Sequence, residues 1–325
     1  MARALVIGGT LLIGRALVDQ LLERGDEVVI MHRGNGTPFG SRVDEIQCDR
    51  NDMAAVRTAL AGSRFDVVYD NVYDWQRGTT ADQVSAAAVT AADGLRRYVF
   101  MSSIAVYGAG GEYDENAPLV PSGYPNAYSV HKAESERALF ELQQRNGIPV
   151  ATLRPAFIYG PHNPFDREAF FWDRLRAGRP IVVPDDGLRT MQWVHARDVA
   201  RAALLAANEG IAVGHAYNLA SYPPITQTEF VHVLAKIADR QANLVHIPRE
   251  QIQRLGGELF SAPYYFGVYL DLPPITVRAD RVRSELGLEL TPLEDGLRET
   301  YRWYQQQQRP QPDFSWEDRL LVSAR

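Results

Sequence analysis

The segment Ala4-Leu-Val-Ile7-Gly8-Gly9-Thr10-Leu11-Leu12-Ile13-Gly14 constrains this chain more than any other. Four apolar residues make a short strand and the glycines allow a tight turn. Ile13, Leu17 and Leu21 then recur on one face of a helix that Gly25 is placed to end. Strand, glycine turn and helix in that order open a parallel α/β unit whose helix N-terminus is aimed at a pyrophosphate. The unit reads as the start of a dinucleotide-binding domain, with Gly8, Thr10, Leu11, Leu12 and Ile13 as candidate cofactor contacts. A plain βα turn without a ligand is the reading the turn alone leaves open.

Further strands follow at the spacing such a sheet needs. Glu27-Val-Val-Ile-Met31 ends in His32-Arg33-Gly34-Asn35. A site for NAD places a carboxylate here for the ribose 2′-hydroxyl, whereas an arginine suits a 2′-phosphate. His32 holds the acidic position and Arg33 follows, which favours NADP over NAD. An exposed loop arginine with no ligand is the other reading. Glu45-Ile-Gln-Cys48 is the third strand, and Asp52 is placed to cap a helix from Met53 to Leu60. Phe65 to Asn71 is the fourth strand, and Thr80 to Ala92 is an Ala-rich helix.

The chemistry sits farther on. Arg97-Tyr-Val-Phe-Met-Ser102-Ser103 is a buried strand ending in two hydroxyls, at the sheet end where open α/β folds bind ligands. Ala127-Tyr128-Ser129-Val130-His131-Lys132 opens an apolar-periodic helix, so Tyr128 and Lys132 share one face. An ammonium beside a phenol stabilises its anion and draws its pKa down from ~10 toward the range of a general acid or base. A buried tyrosine and a solvated lysine would give the same spacing.

With a length of 325 residues, 46% of them hydrophobic, the chain can bury a large core in two closely packed lobes. The net charge of −6, without blocks of like charge, speaks against a nucleic-acid surface. A single cysteine, Cys48, excludes an internal disulfide and a cysteine-based metal cluster. No apolar run is long enough to span a bilayer, and Ala2 to Ile7 is too short for a signal peptide, so a soluble cytoplasmic protein is expected.

Taken together, Ser103, Tyr128 and Lys132 resemble the catalytic triad of the extended short-chain dehydrogenase/reductases, the NAD(P)-dependent epimerase/dehydratase family. Ser102-Ser103-Ile104-Ala105-Val106-Tyr107-Gly108 matches the family's strand end and places the catalytic serine at Ser103. The resemblance continues through Leu153-Arg154-Pro155 to Tyr159-Gly160-Pro161, through Trp193-Val-His195-Ala-Arg-Asp198, and through Asn218-Leu-Ala-Ser, covering nearly the whole chain. It implies a Rossmann-type doubly wound parallel sheet over residues 1–160, completed by segments around 190–220. A smaller C-terminal α/β substrate lobe would occupy 161–325. It places Asp49 at the adenine amino group, Asn71 beside the nicotinamide ribose and Pro155 against the nicotinamide. His195 and Asp198 become structural, with Asp198 capping a helix. The Ala-rich helix beside the Tyr128 helix commonly forms the family's dimer face, implying a homodimer; an intramolecular role suits its small residues equally.

Departures from the family are informative. Leu11 stands where the middle glycine of G-x-x-G-x-x-G is usual. Asn71-Val-Tyr73-Asp74-Trp75 replaces a His-x-Ala-Ala-like segment, and Met191-Gln192 stands where a diphosphate-binding arginine is common, with Arg189 nearest. Tyr73, Trp75, Phe157, Arg189, Gln192 and Tyr264 are the candidate substrate contacts. Ile104 and Ala105 replace the Asp-Glu pair that 4,6-dehydratases use to expel water. The implied activity is hydride transfer at a secondary alcohol or ketone of a sugar nucleotide or related polyhydroxy compound, by epimerisation or reduction. Two alternatives remain. One is a reductase of a non-sugar ketone; the other is a non-catalytic NAD(P)- or RNA-binding protein, against which the charge and the intact triad speak. A small-molecule substrate is expected, with no nucleic acid, membrane or metal.

Overall fold

A computed structural model describes residues 1–34, 36–165, 167–256 and 272–323. Its centre is a seven-stranded parallel sheet. The first five strands are β1 (Arg3–Ile7), β2 (Glu27–His32), β3 (Asp44–Gln47), β4 (Val67–Asp70) and β5 (Arg97–Met101). Between them run α1 (Leu12–Glu23), α2 (Met53–Leu60) and α3 (Ala81–Thr90). After β6 (Gly110–Tyr113) come α4 (Ala127–Asn146) and β7 (Val150–Pro155). The rest comprises β8 (Phe157–Tyr159), α5 (Arg167–Arg176), β9 (Ile181–Pro184), β10 (Thr190–Met191), β11 (Trp193–His195), α6 (Ala196–Asn208), β12 (Ala216–Leu219), β13 (Ile225–Thr226), α7 (Gln227–Ile237), β14 (Leu244–Ile247) and β15 (Ile275–Val277), with helices Arg249–Arg254, Asp280–Leu286, Leu293–Gln305 and Ser315–Ser323.

The sheet order is β12-β7-β5-β4-β1-β2-β3. The chain therefore winds outward from β1 in one direction, returns, and continues from β4 in the other. The crevice between the carboxyl ends of β1 and β4 is the switch point where such sheets bind ligands. Strand residues alternate between two cores, as a sheet covered on both faces requires. Val6, Ile30 and Tyr69 pack under α1 and α6, while Ile7, Val68 and Phe100 pack under α2, α3 and α4. A further core joins Phe171, Trp172, Trp193, Phe230 and Leu234 to Tyr304, Trp316 and Leu320.

The capping expectations resolve in two ways. Asp52 accepts from the N–H groups of Ala54 and Ala55 and caps α2 as expected. The cap of α6 is His195, whose Nδ1 accepts from Arg197 N, and not Asp198. Asp198 lies in the first turn of α6 and instead accepts from Thr291 N and Oγ1, tying α6 to the C-terminal segment. The Ala-rich helix α3 turns Val84, Ala87 and Ala88 into the core beside α4 of the same molecule. Among the described residues no helix is long and apolar enough to cross a membrane.

Candidate functional site

The crevice begins with the glycine turn. A Cβ on Gly14 would stand 1.9 Å from Gly8 O, so only glycine lets α1 start this close to the end of β1. The N-cap of α1, Leu11, makes no side-chain cap bond, unlike the capped α2, α3, α4 and α7. Leu11 is exposed, as a side chain replacing glycine at the mouth must be. A helix start without a side-chain acceptor fits a pyrophosphate, whose oxygens would take the amide protons of α1. One of these amides has a partner: Leu12 N donates to His162 O at 3.3 Å, across from the loop that follows β8. Asn71 Nδ2 donates to Gly8 O at 3.3 Å and braces the turn against β4.

At the centre, Ser103 and Tyr128 come together. Ser103 closes β5 and its Oγ accepts from Ala105 N, while Tyr128 lies in the first turn of α4, which Asn126 caps by accepting from Ser129 N. Burial pushes the Tyr128 phenol above its ordinary pKa, with the nearby Ser103 hydroxyl and the positive charge of Arg167 working in the other direction.

Lys132 corrects the expectation that its ammonium depresses this pKa. The side chain is 4% exposed and Nζ donates to Met101 O at 2.5 Å, over the Phe100 ring. Burial draws its pKa down to about 8, and the carboxylates of Asp70 and Glu136 act against that fall. Helical spacing put Lys132 on the face of Tyr128, but the strand-end carbonyl captures the ammonium.

The segment that departs from the family covers the phenol. Trp75 stacks on Tyr128 with ring centroids 4.8 Å apart, and Tyr73 meets the same ring edge-on at 4.7 Å. Tyr73 Oη is 2.9 Å from His131 Nδ1, and a Cβ on Gly78 would meet the His131 ring at 2.5 Å, so the loop is clasped onto α4. Burial pushes the Tyr73 phenol up to about 12.

Other expected contacts fall out differently. His32 is buried and bonds through Nε2 to Glu45 Oε2 at 2.7 Å, along the sheet edge and not toward a ribose. Arg33 donates to Asp74 at 2.8 Å, and Asp49 accepts from Arg77 at 2.7 Å and from Asn51 N. Gln192 is 1% exposed; its amide donates to Ser221 O and Val277 O and accepts from Val277 N. It is a brace between segments and has no capacity left for a substrate. Phe157 lies half-buried against Trp193, and Pro155 is buried at the end of β7 beside Leu219. Arg189 precedes β10, and its carbonyl accepts from Gln227 N. Tyr264 lies outside the described residues.

Arg77, His131, Arg167 and the buried trio Asp70, Arg50 and Tyr98 were not foreseen. Arg50 pairs with Asp70 Oδ2, which also accepts from Tyr98 Oη at 2.6 Å, on the sheet face that α4 covers. The run Tyr73-Asp74-Trp75-Gln76-Arg77-Gly78 carried the signal for Arg77, a charged turn at a sheet end where nucleotides lie.

A model of the NAD dependent epimerase/dehydratase family matches residues 4–220. The chain is 29% identical over 248 residues to the chloroplast stem-loop binding protein of 41 kDa b from Arabidopsis thaliana, across 72% of this chain and 62% of that one. It thus spans less than two thirds of that relative. Among solved structures, UDP-glucose 4-epimerase of Thermotoga maritima with UDP-glucose superposes with a TM-score of 0.76 at 20% identity, covering 93% of this chain and 98% of that one. The dTDP-glucose 4,6-dehydratase DesIV of Streptomyces venezuelae with NAD bound gives 0.75 at 22% identity, covering 98% and 99%.

Proposed function

The chain belongs to the NAD dependent epimerase/dehydratase family, and we propose that it is an enzyme of the short-chain dehydrogenase/reductase type. From that premise we propose that it transfers hydride at a secondary alcohol or ketone of a sugar nucleotide or related polyhydroxy compound, with NADP as its cofactor, by epimerisation or reduction. The observation that carries this reading is the placement of the Ser103 hydroxyl, just past the carboxyl end of β5, beside the phenol of Tyr128 in the first turn of α4. The uncapped start of α1 stands at the neighbouring switch point.

The nicotinamide, when bound, supplies or accepts the hydride. Gly8, Thr10, Leu11, Leu12 and Ile13 would hold the pyrophosphate, Arg33 the 2′-phosphate, Asp49 the adenine, and Asn71, Lys132 and Pro155 the nicotinamide end. Tyr128 works on the substrate oxygen. Its raised pKa keeps the phenol protonated near neutrality, so it donates its proton to a carbonyl oxygen as hydride reaches the carbon. Ser103 donates to that oxygen and holds it beside the phenol. Ile104 and Ala105 follow Ser103 in a short turn and carry no carboxyl group, so the chain has no acid and base there to expel water.

A reductase of a non-sugar ketone is the second reading, favoured by the stack of Trp75 on Tyr128. That stack narrows the approach to the phenol, and Gln192 leaves no ligand where a diphosphate-binding arginine is common. The test uses purified protein with NADP⁺ or NADPH and a panel of UDP- and dTDP-hexoses, their 4-keto forms and simple ketones. Nicotinamide absorbance and product mass are followed. The expected product is an isomer of the substrate, or one gaining a hydride and a proton, and Tyr128→Phe slows its formation by about 10²–10⁴-fold. Conversion that survives Tyr128→Phe unchanged overturns the reading.

A further inference from the structure

At the nucleotide end of the crevice two guanidinium groups converge on one carboxylate. Arg33, just beyond β2, donates from Nη1 to Asp74 Oδ2 at 2.8 Å. Arg77, from the loop between β4 and α3, donates to the same oxygen from Nε at 2.9 Å and Nη2 at 2.7 Å. Its Nη2 also reaches Asp49 Oδ2 at 2.7 Å. The other oxygen of Asp74 accepts from Gln76 N and Arg77 N at 2.9 and 3.0 Å. Burial opposes ionisation of Asp74, but the Arg77 backbone and side-chain bonds outweigh it and hold the carboxyl down at about 2. Asp74 is therefore an anion at every working pH and a saturated one.

Exposure gives the arrangement a direction. The Asp74 side chain is 5% exposed, while those of Arg33 and Arg77 are 56% and 52% exposed. The negative charge lies behind and the two planar cations stand in front, so the layer presents its positive side to solvent, with Asp49 partly open beside it. Each guanidinium carries five N–H donors, and these contacts use only part of them. Two forks fixed side by side match the oxygens of a phosphate better than one long flexible cation does. Arg33 follows β2, Asp49 follows β3, and Asp74 and Arg77 lie in the loop after β4, so the cluster gathers at the carboxyl ends of three strands on the side of the crevice where the ribose is expected.

We propose that Arg77 is a second guanidinium of the 2′-phosphate site, acting with Arg33, and that Asp74 is the positioning residue that holds both. The inference rests on the NADP reading above and adds to it a specificity-determining residue from a different loop. The order of events is simple. The 2′-phosphate takes outward N–H groups of both arginines, while Asp74 keeps their inward ones.

Calorimetric titration with 2′,5′-ADP and 5′-AMP tests this, because the two probes differ only in the 2′-phosphate. The wild type is expected to prefer 2′,5′-ADP by tenfold or more. Arg77→Ala is expected to cut that preference about tenfold with 5′-AMP affinity unchanged within twofold. Arg77→Lys recovers only part of it, because charge returns without the fork. Asp74→Asn lowers the preference with both arginines still present, which a merely structural role would not do at constant 5′-AMP affinity. If Arg33→Ala removes the preference and Arg77→Ala leaves it intact, the role of Arg77 is refuted and the NADP reading stands. If the wild type binds both probes equally, the NADP reading fails and this inference fails with it.

Discussion

The indole of Trp75 lies on the phenol of Tyr128, with ring centroids 4.8 Å apart and planes 24° from parallel, although 57% of Trp75 is open to solvent. A large aromatic is thus held at the surface by the ring proposed to do the chemistry. Such a stack contributes about 0.5–1.5 kcal/mol beyond burial, enough to bias the loop but not to lock it. Trp75→Ala readmits water to the phenol, so the pKa of Tyr128, raised chiefly by burial, falls toward its ordinary value. The basic limb of the pH–rate profile is expected to move to lower pH, with KM for bulky substrates changing more than KM for small ketones. An unmoved limb would show that Trp75 does not desolvate the phenol.

The absence of a carboxyl group after Ser103 makes a chemical prediction. Ile104 is buried and Ala105 offers only a methyl group. A hexose nucleotide is expected to keep all its hydroxyls through turnover. Mass spectrometry reads this directly, and a 4-keto-6-deoxy product would show that another acid and base serve the elimination.

Lys132 couples the site to stability through its protonation. Burial lowers its folded pKa to about 8, against 10.5 for an ordinary lysine. Below pH 8 both states hold the proton, and the folded state bears the cost of a buried ammonium. Between pH 8 and 10.5 the unfolded chain binds more protons than the folded one, so this group's contribution to stability rises with pH through that window, by on the order of 3 kcal/mol. Subtracting the urea unfolding free energy of Lys132→Met from that of wild type isolates the effect from the tyrosines that titrate nearby. The difference is expected to shift in favour of wild type from pH 8 upward; a flat difference would mean that the ammonium is not desolvated.

The sheet and its switch point were legible because a sheet covered on both faces leaves a plain record: continuous apolar strands, a glycine turn, and helices of period 3.6. The positions of Ser103 at a strand end and Tyr128 in the first turn of a helix, and the Asp52 cap, were legible because local surroundings decide them. Lys132 was not, since spacing fixes the helix face and leaves open which acceptor a four-carbon stem will find. Gln192 reads as a cleft residue from its position, yet three backbone groups of two distant segments claim its amide. Arg77 was legible only in part: Asp74 stands three residues before it in the same loop, but Asp49 comes from the loop after β3, which the parallel sheet brings alongside.

Beneath the site, Arg154 donates from Nε to Glu136 Oε1 at 2.9 Å and from Nη1 to Tyr107 Oη at 2.6 Å, and that hydroxyl donates on to Asn218 Oδ1. Glu136 is fully buried and Arg154 nearly so, which ties α4 to β7 two turns below Tyr128. Arg154→Met leaves a buried carboxylate alone and is expected to cost about 3–5 kcal/mol in denaturant unfolding. The double variant Arg154→Met with Glu136→Leu is expected to recover most of that loss. A double variant as unstable as the single one would mean that shape, and not the unpaired charge, sets the cost.

Tyr128→Phe removes one oxygen and keeps the ring. Trp75 and Tyr73 can pack on phenylalanine as they do on tyrosine, so the thermal midpoint should stay close to wild type. What disappears is the proton that the proposed reaction passes to the substrate oxygen. General acid catalysis typically contributes 10²–10⁴-fold, and turnover is expected to fall by about that factor with cofactor affinity nearly unchanged. On the role proposed for Lys132 at the nicotinamide end, Lys132→Met should separate from it by weakening cofactor binding as well as turnover. The measurements are kcat on a verified substrate and a direct titration of NADP(H). Near-wild-type turnover by Tyr128→Phe would remove the phenol from the chemistry and leave the crevice as a cofactor-binding fold without a catalytic acid.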